Sequence, residues 1–182
     1  MKPPERKPGW SSPFEADICV DVLSLLRAEE GKPSLAVLSP YKRQVRLLRE
    51  SIVRAGRRLD CLDGFTDKAG DGWCGTVDSF QGNEADCVVV SLVRNNSWSG
   101  RSGLGFLSDE RRMNVLLSRA KWRLIIVGSL RFLRKRLPAG TALPPGHELA
   151  FLQRLLDWVQ PADGALPEGV AIVPLETLRT GT

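Results

Sequence analysis

Short apolar runs alternate along this chain with amphipathic stretches whose apolar positions recur every three or four residues, as when strands and helices take turns. Ser12-Pro13-Phe14-Glu15 predicts a helix start. Ser12 caps, Pro13 suits the first helical position, and Glu15 completes a capping box. Ile18, Val22, Leu25 and Leu26 then form one apolar face, and Gly31 stops the helix. Residues 34–38 read as a buried parallel strand. Pro40-Tyr41 opens a second helix, with Val45, Leu48 and Ile52 inward and Gly56 at its end. A weaker strand is expected over 59–62, a loop rich in Gly and Asp over 63–73, and strands near 74–77 and 87–92. A polar, Gly-rich loop over 94–105 leads to a helix over 108–120, a strand over 124–128 and a short basic helix over 130–136. Pro138, Pro144 and Pro145 break the chain before an amphipathic helix over 147–159, and 170–173 reads as a last strand-like run. Such alternation predicts an α/β fold, a mostly parallel sheet with helices on both faces.

Composition narrows the picture only modestly. A length of 182 residues suits one core. It is read as a lead-in over 1–11, a domain over 12–136 and an extension over 137–182 packed on that domain. The net charge of +5 and pI near 9.3 are compatible with a polyanionic partner without requiring one. Cysteines 19, 61, 74 and 87 form no C-x-x-C pair and His147 is the only histidine, so no metal site is expected. Scattered free thiols favour a reducing, cytoplasmic setting, with Cys19 and Cys87 as small buried hydrophobes. The Met1-Lys2-Pro3-Pro4-Glu5 start has no apolar run of signal-peptide type, and no membrane partner is expected.

The chemistry lies in two blocks, Thr76-Val77-Asp78-Ser79-Phe80-Gln81-Gly82-Asn83-Glu84 and Arg111-Arg112-Met113-Asn114-Val115-Leu116-Leu117-Ser118-Arg119-Ala120-Lys121, each running into a strand. Gln81 to Glu84 is a tight polar turn in which Gly82 permits positive φ and close approach to a ligand. Thr76 and Ser79 are small hydroxyl residues at a strand end, suited to holding a phosphate backbone, with helix capping by Asp78 or Ser79 as the plainer role. Arg119 ends the predicted helix just before a buried strand, so its rigid, permanently charged fork can be aimed. A finger of that kind stabilises charge developing on a transferred phosphoryl group, and a surface ion pair is the plainer role. Asp109-Glu110 lacks a preceding strand and reads as helix N-terminal charge rather than a metal pair. Ser39-Pro40-Tyr41-Lys42-Arg43-Gln44 follows a strand, at the end where α/β sheets bind ligands; Tyr41 stacks on a base or adenine, or packs. Trp73 and Trp98 either stack on single-stranded bases or pin their loops. The Arg131, Arg134, Lys135 and Arg136 cluster is a backbone patch or a helix C-terminal complement.

Together these blocks resemble motifs IV, V and VI on the second RecA-like domain of superfamily 1 helicases, closest to the Upf-like group, over roughly residues 12–130. The resemblance implies a RecA-like, phosphate-loop-NTPase-type sheet. No G-x-x-x-x-G-K-[ST] loop occurs in this sequence. It implies Arg119 as the catalytic finger, and Gln81, Gly82, Glu84, Arg112, Tyr41 and Gln44 toward the nucleotide, with Glu84 on the ribose and Arg112 bracing helix and cleft beside Asn114. Thr76, Ser79 and Pro40 face the nucleic acid. Where some relatives carry a second arginine after the motif IV glutamine, this chain has Val45, flanked by Arg43 and Arg46. Those two stand as substitutes or as a solvated basic face. Implied cofactors are ATP and Mg2+, held mainly by an N-terminal RecA-like domain in the same or a separate chain. The implied partner is single-stranded DNA or RNA, travelled 5′ to 3′ by kinship. The chain by itself is not expected to hydrolyse ATP. The competing expectation is a non-catalytic helicase-like module that binds nucleic acid or a protein.

Overall fold

The computed structural model describes residues 10–28, 31–95, 103–137, 143–144, 147, 149–161 and 164–180. In chain order it contains α1 (Pro13–Leu25), β1 (Ser34–Ser39), α2 (Lys42–Ala55), a 3-10 helix (Gly56–Gly64), β2 (Thr66–Asp67), β3 (Cys74–Thr76) and β4 (Ala85–Ser91). A second 3-10 helix (Gly105–Ser108), α3 (Glu110–Leu117), β5 (Ala120–Val127), α4 (Leu130–Lys135), α5 (Ala150–Val159) and α6 (Leu175–Thr180) complete it. The α/β expectation holds. Five strands form one sheet in which every pair is parallel. β1 pairs with β4 on one side and, end to end on the other, with β2 and β3; β5 lies outside β4.

Strand alternation builds two cores, one on each face of this sheet. Leu35, Val37, Cys87 and Val89 point into a cluster with α1, α2 and the first 3-10 helix, through Cys19, Leu23, Val45, Leu48, Leu59 and Leu62. Their neighbours Ala36, Leu38, Val88 and Val90 point the opposite way, toward Phe106, Met113, Leu116, Phe132, Leu152 and Leu156. Both faces are covered, so β1 and β4 are buried almost throughout and read as continuous apolar runs. Burial also raises the Cys19, Cys74 and Cys87 thiols, with Cys74 pushed up to about 12.

Several local expectations need correction. α1 buries Ala16, Cys19, Val20 and Leu23, whereas Leu25 is 52% exposed and Ile18 and Val22 are only partly covered. Small side chains at 16 and 19 let the helix approach the sheet closely, which rotates the buried face. The helix also ends at Leu25, well before Gly31. Residues 59–62 form 3-10 helix rather than strand, because Leu59 and Leu62, three apart, then share one buried side. The 63–73 loop contains the short β2. The 108–120 helix breaks into a 3-10 turn, α3 and a turn before β5, with Asp109 as N-cap, as its acidic character suggested. The 147–159 helix begins at Ala150. Residues 170–173 form no strand; α6 follows and lies against α1. Trp98, Pro138 and Pro145 lie outside the described residues, as do 1–9 of the expected lead-in and most of the 94–105 loop.

One close approach in the second core carries a prediction. Gly105 has φ +55°, and a Cβ there would sit 1.9 Å from Arg94 Nη2. Arg94 is only 6% exposed, stacks on Trp10 at 3.9 Å and donates to the Tyr41 hydroxyl at 2.6 Å. Gly105→Ala should therefore lower stability by about 2 kcal/mol or more, from the left-handed backbone plus displacement of Arg94. The loss should shrink in an Arg94→Ala background, read as non-additive urea midpoints.

Candidate functional site

The two motif blocks meet because β4 and β5 are neighbours. Ala85 pairs with Ala120, and Ala85 N–H donates to the Arg119 carbonyl at 3.0 Å. This places Gln81-Gly82-Asn83-Glu84 and Ser118-Arg119 side by side at the amino edge of the sheet. All four residues of the polar turn are exposed. Gly82 has φ +82° and nothing within 4 Å of where a Cβ would be, so a ligand has open room against its backbone.

Arg119 lies in the turn after α3 rather than in its last turn, and three contacts hold its half-buried fork. Nε donates to the Val115 carbonyl (2.7 Å), Nη1 to the Asn83 carbonyl (2.9 Å) and Nη2 to Ser118 Oγ (3.0 Å). One N–H on each terminal nitrogen is left over for a ligand. Glu84 forms an ion pair with Lys121 at 2.9 Å, and that carboxylate raises the Lys121 ammonium above its ordinary value. Both groups are exposed, so the pair is easily exchanged for a ligand.

The first block runs from one edge of the sheet toward the other. Thr76 ends β3 and pairs with Ser39 at the carboxyl edge, and the turns of 77–82 carry the chain back across the second core through Val77 and Phe80. Thr76 and Ser79 bond each other: each N–H donates to the other's hydroxyl at 3.0 Å. The expected helix capping by Asp78 or Ser79 is not what forms: residues 77–82 are turns, Asp78 pairs with Arg112, and Thr76 and Ser79 close the turn on each other near the surface. Pro40 is half-buried beside them through the Ser39–Thr76 pairing. Arg112 pairs with Asp78 and stacks on Phe106 at 4.4 Å, tying α3 to the middle of the block.

Tyr41 and Gln44 lie at the carboxyl edge, apart from the Arg119 cluster. Gln44 is fully buried. Its Oε1 accepts from Ser12 N–H (2.7 Å), and its Nε2 donates to the Ser12 carbonyl (3.2 Å) and Ser91 Oγ (3.0 Å). Ser91 Oγ donates in turn to Glu15 Oε2, which also accepts from Val93 N–H, both at 2.8 Å. Glu15 is therefore not the capping-box partner, because Gln44 has taken the Ser12 N–H. It is a buried carboxylate holding the turn at Val93, a β-branched residue at φ +68°. Sequence reasoning missed Glu15, Ser91 and Arg94; the one available signal was a charged residue on the inward side of α1. Trp73 is half-buried against the first core, pinning its loop. Arg134 donates to the Leu156 and Gln160 carbonyls and pairs with Asp157, so it complements the C-terminus of α5.

The family model described as "AAA domain" matches residues 2–131. Human probable helicase senataxin is 33% identical over 122 residues, 65% of this chain and 4% of that protein. Regulator of nonsense transcripts 1 of Dictyostelium discoideum is 34% identical over 122 residues, 66% of this chain and 8% of its own length. The mouse DNA replication ATP-dependent helicase/nuclease DNA2 is 34% identical over 134 residues, 73% and 11% respectively. The chain thus spans about a tenth or less of these relatives. Among the described residues, no helix is long and apolar enough to cross a membrane.

Proposed function

We propose, for a chain that belongs to the AAA domain family and is a superfamily 1 helicase domain of the Upf-like group, that it is the second motor domain of an ATP-dependent helicase. The observation that carries this is the block 76–84, which links the two edges of the sheet and meets Arg119 at one of them. At the amino edge, Arg119 supplies the finger toward the γ-phosphate, and Gln81, Gly82 and Glu84 line the nucleotide, Glu84 leaving Lys121 for the ribose. Arg112 braces α3 against Asp78. At the carboxyl edge, Pro40, Thr76 and Ser79 hold the sugar–phosphate backbone of a single strand. Tyr41 and Gln44, bonded within the chain, support that edge from behind.

ATP is the substrate, and Mg2+ neutralises its phosphates. Both are held by a phosphate-loop domain outside these 182 residues, in the same or a separate chain. The open room at Gly82 and the spare N–H groups of Arg119 fit one wall of such a nucleotide site. Closure of two domains around the nucleotide would reposition the block 76–84, and with it the grip on the strand.

The test is ATP turnover by this chain mixed with a phosphate-loop domain of the same helicase, with and without single-stranded nucleic acid. Strand-stimulated turnover by the mixture, with none by either part alone, is expected. Turnover by this chain alone would overturn the division of labour. Strand binding with no turnover in the mixture would favour a non-catalytic binding module.

A further inference from the structure

We propose that the outer face of α2 is a track for the phosphate backbone of the strand, beyond the contacts at the carboxyl edge. It deepens the proposed function and rests on the strand being held at that edge. Lys42, Arg43, Arg46 and Arg54 on α2, and Arg57 just after it, are all exposed. None of these side chains has a hydrogen bond or ion pair among the described residues. Neighbouring arginines do: Arg49 pairs with Asp71 and donates to the Cys74 carbonyl, and Arg58 pairs with Asp21. The four on α2 fall within an arc of about 120° opposite the buried Gln44, Val45, Leu48, Ser51 and Ile52.

Two features argue against a merely solvated face. Glu50, the one acid on α2, sits within this face four residues from both Arg46 and Arg54, yet forms no ion pair with either and leaves the face with a clear excess of positive charge. Lys42 and Arg43 also crowd the positive end of the helix, where no acidic residue or side-chain cap offsets them. An anion lying there would relieve both.

Position and chemistry select the occupant. α2 begins three residues after Ser39, which pairs with Thr76, so a strand held by Thr76 and Ser79 reaches Lys42 and Arg43 first. From Arg43 to Arg54 the face runs about 16 Å, the span of roughly five phosphates at the spacing of one helical strand. The only large apolar side chain on it is Val53, 80% exposed, so the face lacks the aromatic or aliphatic anchors of a protein interface. Phosphate contacts need none.

The experiment is fluorescence anisotropy of this chain with labelled single strands of roughly six and roughly twenty nucleotides, short and long against a typical single-strand site. Wild type is compared with a triple variant, Arg43→Gln, Arg46→Gln and Arg54→Gln, and with Thr76→Ala/Ser79→Ala. Glutamine suits exposed helix positions, and circular dichroism verifies the fold. For the triple variant on the long strand, the slope of log affinity against log salt should become shallower by about 2, with roughly tenfold weaker binding near 50 mM salt. Its binding of the short strand should be unchanged, whereas Thr76→Ala/Ser79→Ala should weaken both.

Unchanged slopes for the triple variant, with the edge variant still defective, would overturn the track and leave the edge reading intact. Absence of binding by wild type to either strand would overturn both. Displacement of the long strand by polyglutamate at equal charge concentration would assign the face to acidic proteins and overturn the nucleic-acid assignment.

Discussion

If Arg119 is the finger of the proposed two-domain motor, its replacement by alanine is expected to reduce strand-stimulated ATP turnover of the assembled pair by about 10³–10⁵-fold, the range measured for arginine fingers. Nucleotide affinity should change far less, because the finger acts where charge develops in the transition state. The geometry behind this is the fixed fork: contacts to Val115, Asn83 and Ser118 spend three N–H groups on orientation and leave one on each terminal nitrogen for phosphate. Arg119→Lys should rescue little, since an ammonium cannot reproduce the planar fork. Stability separates this from a structural role. Two of the three contacts are exposed and the third only part-buried, so the urea midpoint of Arg119→Ala should stay close to wild type. Turnover within tenfold of wild type, in protein with normal strand binding, would remove Arg119 from the chemistry.

The largest stability effect is expected at Glu15. Its carboxylate accepts from Ser91 Oγ and Val93 N–H in a site where the side chain is 6% exposed. Glu15→Ala would leave two buried donors unpaired, one on the strained Val93, for a loss of about 2–4 kcal/mol. Glu15→Gln keeps the shape and one acceptor and should be milder.

The two variants also differ in pH response. Burial raises the Glu15 carboxyl above its ordinary 4.5, and the hydrogen bonds from Val93 and Ser91 offset this only in part. Above 4.5 and up to the raised native value, the folded state therefore binds more protons than the unfolded chain. By linkage, the contribution of Glu15 to stability falls as pH rises through that window and is level above it. The wild-type urea midpoint, taken relative to Glu15→Gln, should decline from acid toward neutral pH. A difference that rises instead would mean that the carboxylate is favoured in the fold, against the effect of burial.

Much of the architecture was legible in the chain itself. The apolar runs of β1 and β4 declared a sheet buried on both faces, because parallel strands covered by helices have no polar side to show. Local chemistry located the start of α1, since a cap acts within three residues: Ser12 accepts from Glu15 N–H. The two motif blocks likewise announced themselves by residue type and spacing. Less was legible where a pattern admitted two periods. Leu59 and Leu62 suit a weak strand or a 3-10 turn, and contact with the first core selected the turn.

The sequence by itself determined the alternation of the main strands and helices, the Ser12 cap and the residues able to carry chemistry, because each depends on neighbours within a turn or two. Only the tertiary structure decided what those residues face. Gln44 is joined to Ser12 across 32 positions and Glu15 to Val93 across 78, through neighbours that exist only once the strands pair. The same pairing sets Arg119 against Asn83 at one edge and Thr76 beside Ser39 at the other. Periodicity tells which side of an element is buried. Sheet order and register alone tell which group waits there to accept a proton or a charge.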